Sequence, residues 1–235
     1  YIERGWVLVD GEPITELGRT PVQEDAVQRI ARYIAGIIDD GSTLQIGLGQ
    51  VAHEALQHLT DRKDLGVHSD LITDAILPLL ENGSLTGAQK TSQPFKIVTS
   101  LAIGSKALYD LIDNNPLFAF EPIDAVCNPA TIAAQHKMVA IAQCSAIDLT
   151  GQICIDQFCG ELYGGAGSQS EFLRGASRSP GGKPIVCMTS TYNNGLNSRI
   201  RPALLTGEAS TIARTDVHYV VTEYGIAYLF GKSIR

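Results

Sequence analysis

Between Thr43 and Asp70 the chain reads as strand, glycine loop, helix and strand, an order that leaves few folds open. Thr43-Leu-Gln-Ile46 has the make-up of a short buried strand, Gly47-Leu-Gly49-Gln50 interrupts it, and a helix is expected from Val51 to about Leu59. Leu65 to Ser69 is again strand-like, and the run stops on the carboxylate of Asp70. Two strands joined through a helix pair in parallel, so this stretch predicts a βαβ unit. The same alternation continues on both sides. Val27, Ile30, Ala31, Ile34, Ile37 and Ile38 recur at helical spacing after Pro21, until Asp39-Asp40-Gly41 ends the pattern. A helical stretch from Asp74 to about Asn82 ends at Gly83, and a further helix is expected near 105–112. Strands are expected at 96–102, 117–120, 138–147, 184–188 and 217–222, with a glycine turn at 164–168. The expectation is an α/β fold with an open, largely parallel sheet flanked by helices, and the absence of repeats or low-complexity blocks makes residues 1–235 one domain. Thr189 to Gly207, rich in Ser, Thr, Asn and Gly, is either a mobile loop near a ligand or a long surface connection.

Charge and cysteine content narrow the function. A net charge of −7 without long runs argues against nucleic acid, which selects a basic face. No apolar stretch approaches the ~20 residues that span a bilayer, so no membrane partner is expected and the chain reads as cytoplasmic. The five cysteines form no CxxC pair and sit mostly in apolar runs, so they read as reduced core residues, and no metal is expected. His53, His58, His136 and His218 lack metal-ligand spacing. The chain opens on Tyr1 and stops at Arg235 soon after a strand-like run, which suggests a fragment of something longer.

Asp70 supports two readings. Gly47-x-Gly49-x-x-Ala52 ahead of a helix, with an acid closing the next strand, has the spacing of a dinucleotide-binding fingerprint. Alternatively, Asp70 is chemistry: a carboxylate that attacks an acyl-CoA carbonyl gives a mixed anhydride, which the expelled thiolate reopens to an enzyme-bound CoA thioester. Such additions need an oxyanion hole, and Gly165-Ala-Gly167-Ser168 offers backbone N–H groups on a turn that glycine permits.

An ordered set of motifs carries a family resemblance: Gly-Leu-Gly-Gln at 47–50, Gly66-Val-His-Ser-Asp-Leu-Ile-Thr-Asp74, Asn114-Asn-Pro116, Cys127-Asn-Pro129 and Asp148-Leu-Thr-Gly-Gln152. The Gly-x-Gly-x-Gln turn at 165–169, Phe172-Leu-Arg-Gly-Ala176, Gly181-Gly-Lys183 and Asp216 to Gly225 complete it. Together they resemble the C-terminal domain of the acetyl-CoA hydrolase/transferase family, class I CoA-transferases similar to 4-hydroxybutyrate CoA-transferase. The resemblance implies the CoA-transferase half-fold, coenzyme A as acyl-CoA substrate, a small carboxylic acid as second partner, an N-terminal domain of the same parent chain, and a homo-oligomer. It puts Asp70 where these enzymes place a nucleophilic glutamate, and Ser168 and Glu171 where they usually have glycine and aspartate. The shorter acid leaves three outcomes open: CoA transfer between short-chain acids, acyl-CoA hydrolysis with Asp70 as general base, or a catalytically weak CoA-binding half. Asn128 is implied near the reacting carbonyl, or is simply an Asn-Pro turn. Gly47, Gly49, Gly165, Gly167 and Gln169 are implied as oxyanion and CoA contacts. Arg174, Lys183, Arg199 and Arg214 are candidates for phosphates or the acceptor carboxylate, with solvated surface charge as the alternative. Asp74 is expected to cap the helix that follows it. His68 either assists in the cleft or is a hydrogen-bonded core residue.

Overall fold

The structure is a computed structural model that describes residues 25–233; Pro21 and the two chain ends used above lie outside the described residues. Helix α1 (Asp25–Ile37) buries Val27, Ile30, Ala31, Ile34 and Ala35 along one stripe, as the spacing requires. Complete burial of Ile30 and Ile34 contributes roughly 1.5–3 kcal/mol each. Next come β1 (Thr43–Leu44), α2 (Gln50–Gln57) and β2 (Gly66–Ile72). A 3₁₀ turn at Asp74–Ile76 leads into α3 (Leu77–Glu81), β3 (Ile97–Ala102), α4 (Lys106–Ile112) and β4 (Phe118–Phe120). Then follow α5 (Ile123–Val126), α6 (Pro129–Ala134) and β5 (Met138–Gln143). Four short strands, β6 (Ala146–Asp148), β7 (Ile153–Cys154), β8 (Gln157–Phe158) and β9 (Glu161–Leu162), precede α7 (Gln169–Arg178) and β10 (Lys183–Cys187). The chain continues through β11 (Thr191–Tyr192), β12 (Asn197–Ser198), β13 (Ile200–Arg201), a 3₁₀ turn at Arg214–Asp216, β14 (Tyr219–Thr222) and β15 (Gly225–Tyr228).

Eight strands form one sheet in the order β15-β14-β10-β5-β1-β2-β3-β4, parallel throughout except for the edge pair β14/β15. The chain winds outward from β1 through β2, β3 and β4, then returns to β5 on the other side of β1, so Thr43 pairs with both Gly66 and Met138. That reversal opens a crevice at the carboxyl ends of β1 and β5, where open α/β sheets bind ligands. One apolar cluster, with α1 and α2, covers one face of the sheet; a second, built on Ile132, Phe172, Leu173 and Ala176 of α6 and α7, covers the other. The second layer depends on Gly175, where a Cβ would lie 2.4 Å from Cγ2 of Ile132. Among the described residues no helix is long and apolar enough to cross a membrane.

The sheet differs from the sequence expectation in three places. The apolar run 138–147 is two strands: β5 ends at Gln143, and β6 leaves the main sheet to pair with β7 and β13. Apolarity marks burial but not the point at which a chain changes sheets. The segment 189–207 carries pairing that its composition does not announce: β11 and β12 form a hairpin and β13 extends the β6 sheet. Finally, β2 runs on to Ile72, so Asp70 stands inside the strand, not at its end.

Candidate active site

Strand β2 alternates, so Asp70 shares a face with His68, the face whose neighbour is Phe172 of α7. The first turn of α7 delivers Ser168 to that carboxylate: its hydroxyl donates to Asp70 Oδ2 at 2.5 Å. Ser168 is the residue preceding the helix, where a serine normally caps free N–H groups, yet it makes no side-chain cap. Oδ1 is less engaged. Its neighbour is the Ser69 hydroxyl at 3.3 Å, which accepts from Ile46 N and donates to Ile46 O, tying β2 to the glycine loop after β1.

Asp70 lines a cavity of about 210 Å³ in the crevice between β1 and β5, together with Gln45, Gly47, Gly49, Gln143, Gly167, Ser168 and Gln169. The glycine loop and the glycine turn, far apart in sequence, therefore face each other across Asp70. Gly167 has φ +59° with open space around a hypothetical Cβ, so its backbone conformation, not crowding, demands glycine. With Ser168 at φ −85° it forms the left-handed, right-handed pair that turns successive N–H groups into an anion-binding concavity. At Gly49 a Cβ would approach Gln143 Oε1 to 3.1 Å, so the Gln143 amide would have to give by a few tenths of an ångström.

A second cavity of about 720 Å³ adjoins the first, sharing Gln143 and Gln169 and reaching Gly164, Gly165, Tyr163, Phe158, Met188 and Arg199. Among the described residues Arg199 is the single Lys or Arg lining either cavity. Its guanidinium donates to Ser145 O at 2.9 Å and lies 4.8 Å from the Phe158 ring centroid and 5.3 Å from that of Tyr192. Stacking of this kind fixes a guanidinium while leaving donors for an anion. The thiol of Cys127 is pushed up to about 11 by burial and then by the Asp70 charge, against an opposing hydrogen bond with Ser168; it is a neutral thiol beside the acid.

Other expected site residues lie elsewhere. Lys183 begins β10, so it stands at the amino edge of the sheet, opposite the crevice; its ammonium is taken by Asp39 and by Ile37 O at 2.5 Å. Arg174 pairs with Asp216 at 3.1 Å. Arg214 is exposed in the 3₁₀ turn before β14, beside Gly151, and lines neither cavity. Asn128 is exposed and caps α6 by accepting from Ala130 N at 2.9 Å, next to Cys127 but outside both cavity linings. His68 takes the core option: it is 2% exposed, and its Nε2–H donates to Val126 O at 2.9 Å, the only role a carbonyl partner allows. Asp74 does not cap its own turn, a task that Thr73 performs toward Ala75 N. It is 4% exposed and receives the N–H and hydroxyl of Ser105, the residue opening α4.

Gln45, Gln143 and Cys127 join the site without having been anticipated. Only the pairing of β5 against β1 brings Gln45 and Gln143 together, seen in the Gln45 Oε1 bond to Ile141 N at 3.1 Å. No local sequence signal marks that. Asp70, the acid that a dinucleotide fingerprint assigns to a ribose, is joined to Ser168 across the crevice.

The sequence model described as acetyl-CoA hydrolase/transferase C-terminal domain matches residues 104–235. The chain is 40% identical over 230 residues to 4-hydroxybutyrate coenzyme A transferase of Clostridium kluyveri, covering 98% of this chain and 53% of the relative. Over 227 residues it is 40% identical to succinyl-CoA:acetate/propanoyl-CoA:succinate CoA transferase of Fasciola hepatica, covering 95% of this chain and 47% of the relative. The crystal structure of 4-hydroxybutyrate CoA-transferase from Porphyromonas gingivalis superposes with a TM-score of 0.82 at 40% identity, covering 95% of this chain and 52% of that one. The chain thus spans about half the length of the relatives it matches.

Proposed function

The chain belongs to the acetyl-CoA hydrolase/transferase family, and on that premise we propose that it is the part of a CoA-transferase that carries the nucleophile, Asp70, for moving CoA between short-chain carboxylic acids. The observation that carries this reading is a half-buried carboxylate at the sheet's switch point, facing the Gly167–Ser168 turn and adjoining a larger cavity. At about 720 Å³ that larger cavity is within the range of small-molecule sites, roughly 300–1,000 Å³. Its apolar wall of Ile155, Phe158 and Met188 suits the pantetheine arm or acyl chain of an acyl-CoA, and Arg199 suits an anionic group of CoA or of the acid.

In the proposed sequence Asp70 attacks the acyl carbonyl, CoA leaves as thiolate, and the thiolate converts the mixed anhydride to an aspartyl-CoA thioester while the first acid departs. An acceptor acid reverses these steps. The N–H groups of the 165–168 turn are the donors for the negative charge that each addition creates. Acyl-CoA and a small carboxylic acid are the partners on this reading; the rest of the cleft comes from a further domain of the parent, which assembles as a homo-oligomer. In the alternative, acyl-CoA hydrolysis, Asp70 acts as general base toward water and no enzyme thioester forms.

Mass spectrometry of the full-length parent mixed with acyl-CoA tests this. A CoA adduct on the peptide bearing Asp70, which borohydride reduces to a side-chain alcohol at position 70 with release of CoA, and which is missing in Asp70→Asn, is the expected result. Release of free CoA with no adduct overturns the covalent route in favour of Asp70 as general base. CoA binding with neither outcome leaves a binding half.

A further inference from the structure

Ser168 precedes α7 with a right-handed backbone, φ −85° and ψ −1°, that makes no side-chain cap, and its hydroxyl reaches Asp70, 98 positions away. The bond is short, 2.5 Å, and specific to Oδ2; Oδ1 has only the 3.3 Å approach of a Ser69 hydroxyl already committed to Ile46. The two oxygens of Asp70 are therefore not equivalent. The geometry points to a catalytic role for the Ser168 hydroxyl: it is the oxyanion donor for the additions that take place at Asp70 itself, stabilising charge on Oδ2 while Oδ1 does the bond-making.

This rests on Asp70 being the nucleophile, and the electrons then run as follows. Oδ1 bonds to the acyl carbon, the acyl C–S bond breaks, and CoA leaves with the electron pair. The thiolate sulfur adds to Asp70 Cγ and pushes the carbonyl pair onto Oδ2. Collapse breaks the Cγ–Oδ1 bond, the first acid leaves as a carboxylate containing Oδ1, and Cγ retains Oδ2 and gains the sulfur. When an acceptor carboxylate adds to that thioester, its oxygen takes the Oδ1 place and the negative charge again passes through Oδ2. The backbone turn serves the substrate carbonyl; Ser168 serves the enzyme's own. In the thioester Oδ2 is a neutral carbonyl oxygen, and in the addition it bears a full charge, so the Ser168 bond strengthens in the transition state of that step.

The test is decay of the preformed enzyme–CoA thioester in the full-length parent, followed by quench and mass spectrometry after addition of acetate. In Ser168→Ala the decay is expected to slow on the order of 10²-fold, the cost of losing one oxyanion donor. Ser168→Thr, which keeps a hydroxyl, is expected to recover most of the rate, and affinity for free CoA is expected to stay within about threefold in both. Thermal melting verifies that each variant is folded. Decay within about threefold of wild type in Ser168→Ala overturns the assignment, as does equal slowing in Ser168→Thr, which marks a packing effect. Failure of the underlying reading is distinct: wild type would then turn over without forming any thioester.

Discussion

Two carboxylates stand four residues apart, Asp70 within β2 and Asp74 just past it, and their surroundings have opposite characters. Asp74 is sealed into the β2–α4 corner at 4% exposure, and Ser105 delivers both its N–H and its hydroxyl to it. Gly104 leaves room for this, since a Cβ there would sit 2.6 Å from Asp74 Oδ1. Asp70 faces a cavity, with one strong donor and one oxygen nearly unoccupied. A saturated carboxylate holds elements together; one with a spare lone pair beside a cavity is available for chemistry. The difference lies in which donors the fold brings, because the residue type is the same.

Exchanging each acid is the strongest way to break this contrast. Asp70→Asn in the full-length parent is expected to lower turnover by at least about 10³-fold while changing folding stability by about 1 kcal/mol or less, because the amide oxygen still accepts from Ser168. Asp74→Ala is expected to do the reverse. It leaves the Ser105 groups without their acceptor and costs about 3 kcal/mol in denaturant unfolding, with activity per folded molecule largely kept. If Asp74→Ala removes activity without loss of stability, the division of labour fails.

Acid titration sharpens the contrast from two residues upstream, where burial pushes the His68 ring down to about 4 from an ordinary 6.5, with the Val126 bond opposing and the Lys90 charge adding. The unfolded chain takes up this proton first as pH falls, so the stability is whole above about 6.5 and declines toward about 4. The loss is about 2 kcal/mol by roughly pH 5. Urea unfolding at a series of pH values checks it, and His68→Gln is expected to flatten that window. An unchanged slope in the variant would assign the acid sensitivity to other groups.

The sheet was legible because α/β alternation is periodic: the spacing of Val27 to Ile38 and the runs 43–46, 96–102 and 184–188 each fall on a real element. The strands β6 to β9 were not, since three of the four have only two residues and carry no period. Gly167 was legible as a turn glycine, and its positive φ agrees. Lys183 misled because a charge after a glycine pair says nothing about which end of a parallel strand it occupies. Ser168 was visible as an unusual residue in its turn, but not as the partner of the other unusual residue, Asp70.

By itself, then, the sequence determined the elements, their parallel pairing within the βαβ unit, the glycine demanded by a left-handed turn, and the family. These depend on terms that neighbours along the chain decide: periodicity, backbone freedom and motif order. Tertiary structure alone decided that β5 lies beside β1, that Asp74 is saturated and Asp70 is not, and that Ser168 answers to a carboxylate instead of its own helix. A hydrogen-bond donor acts over about 3 Å, so what a side chain does depends on which distant segments the sheet order carries to that range.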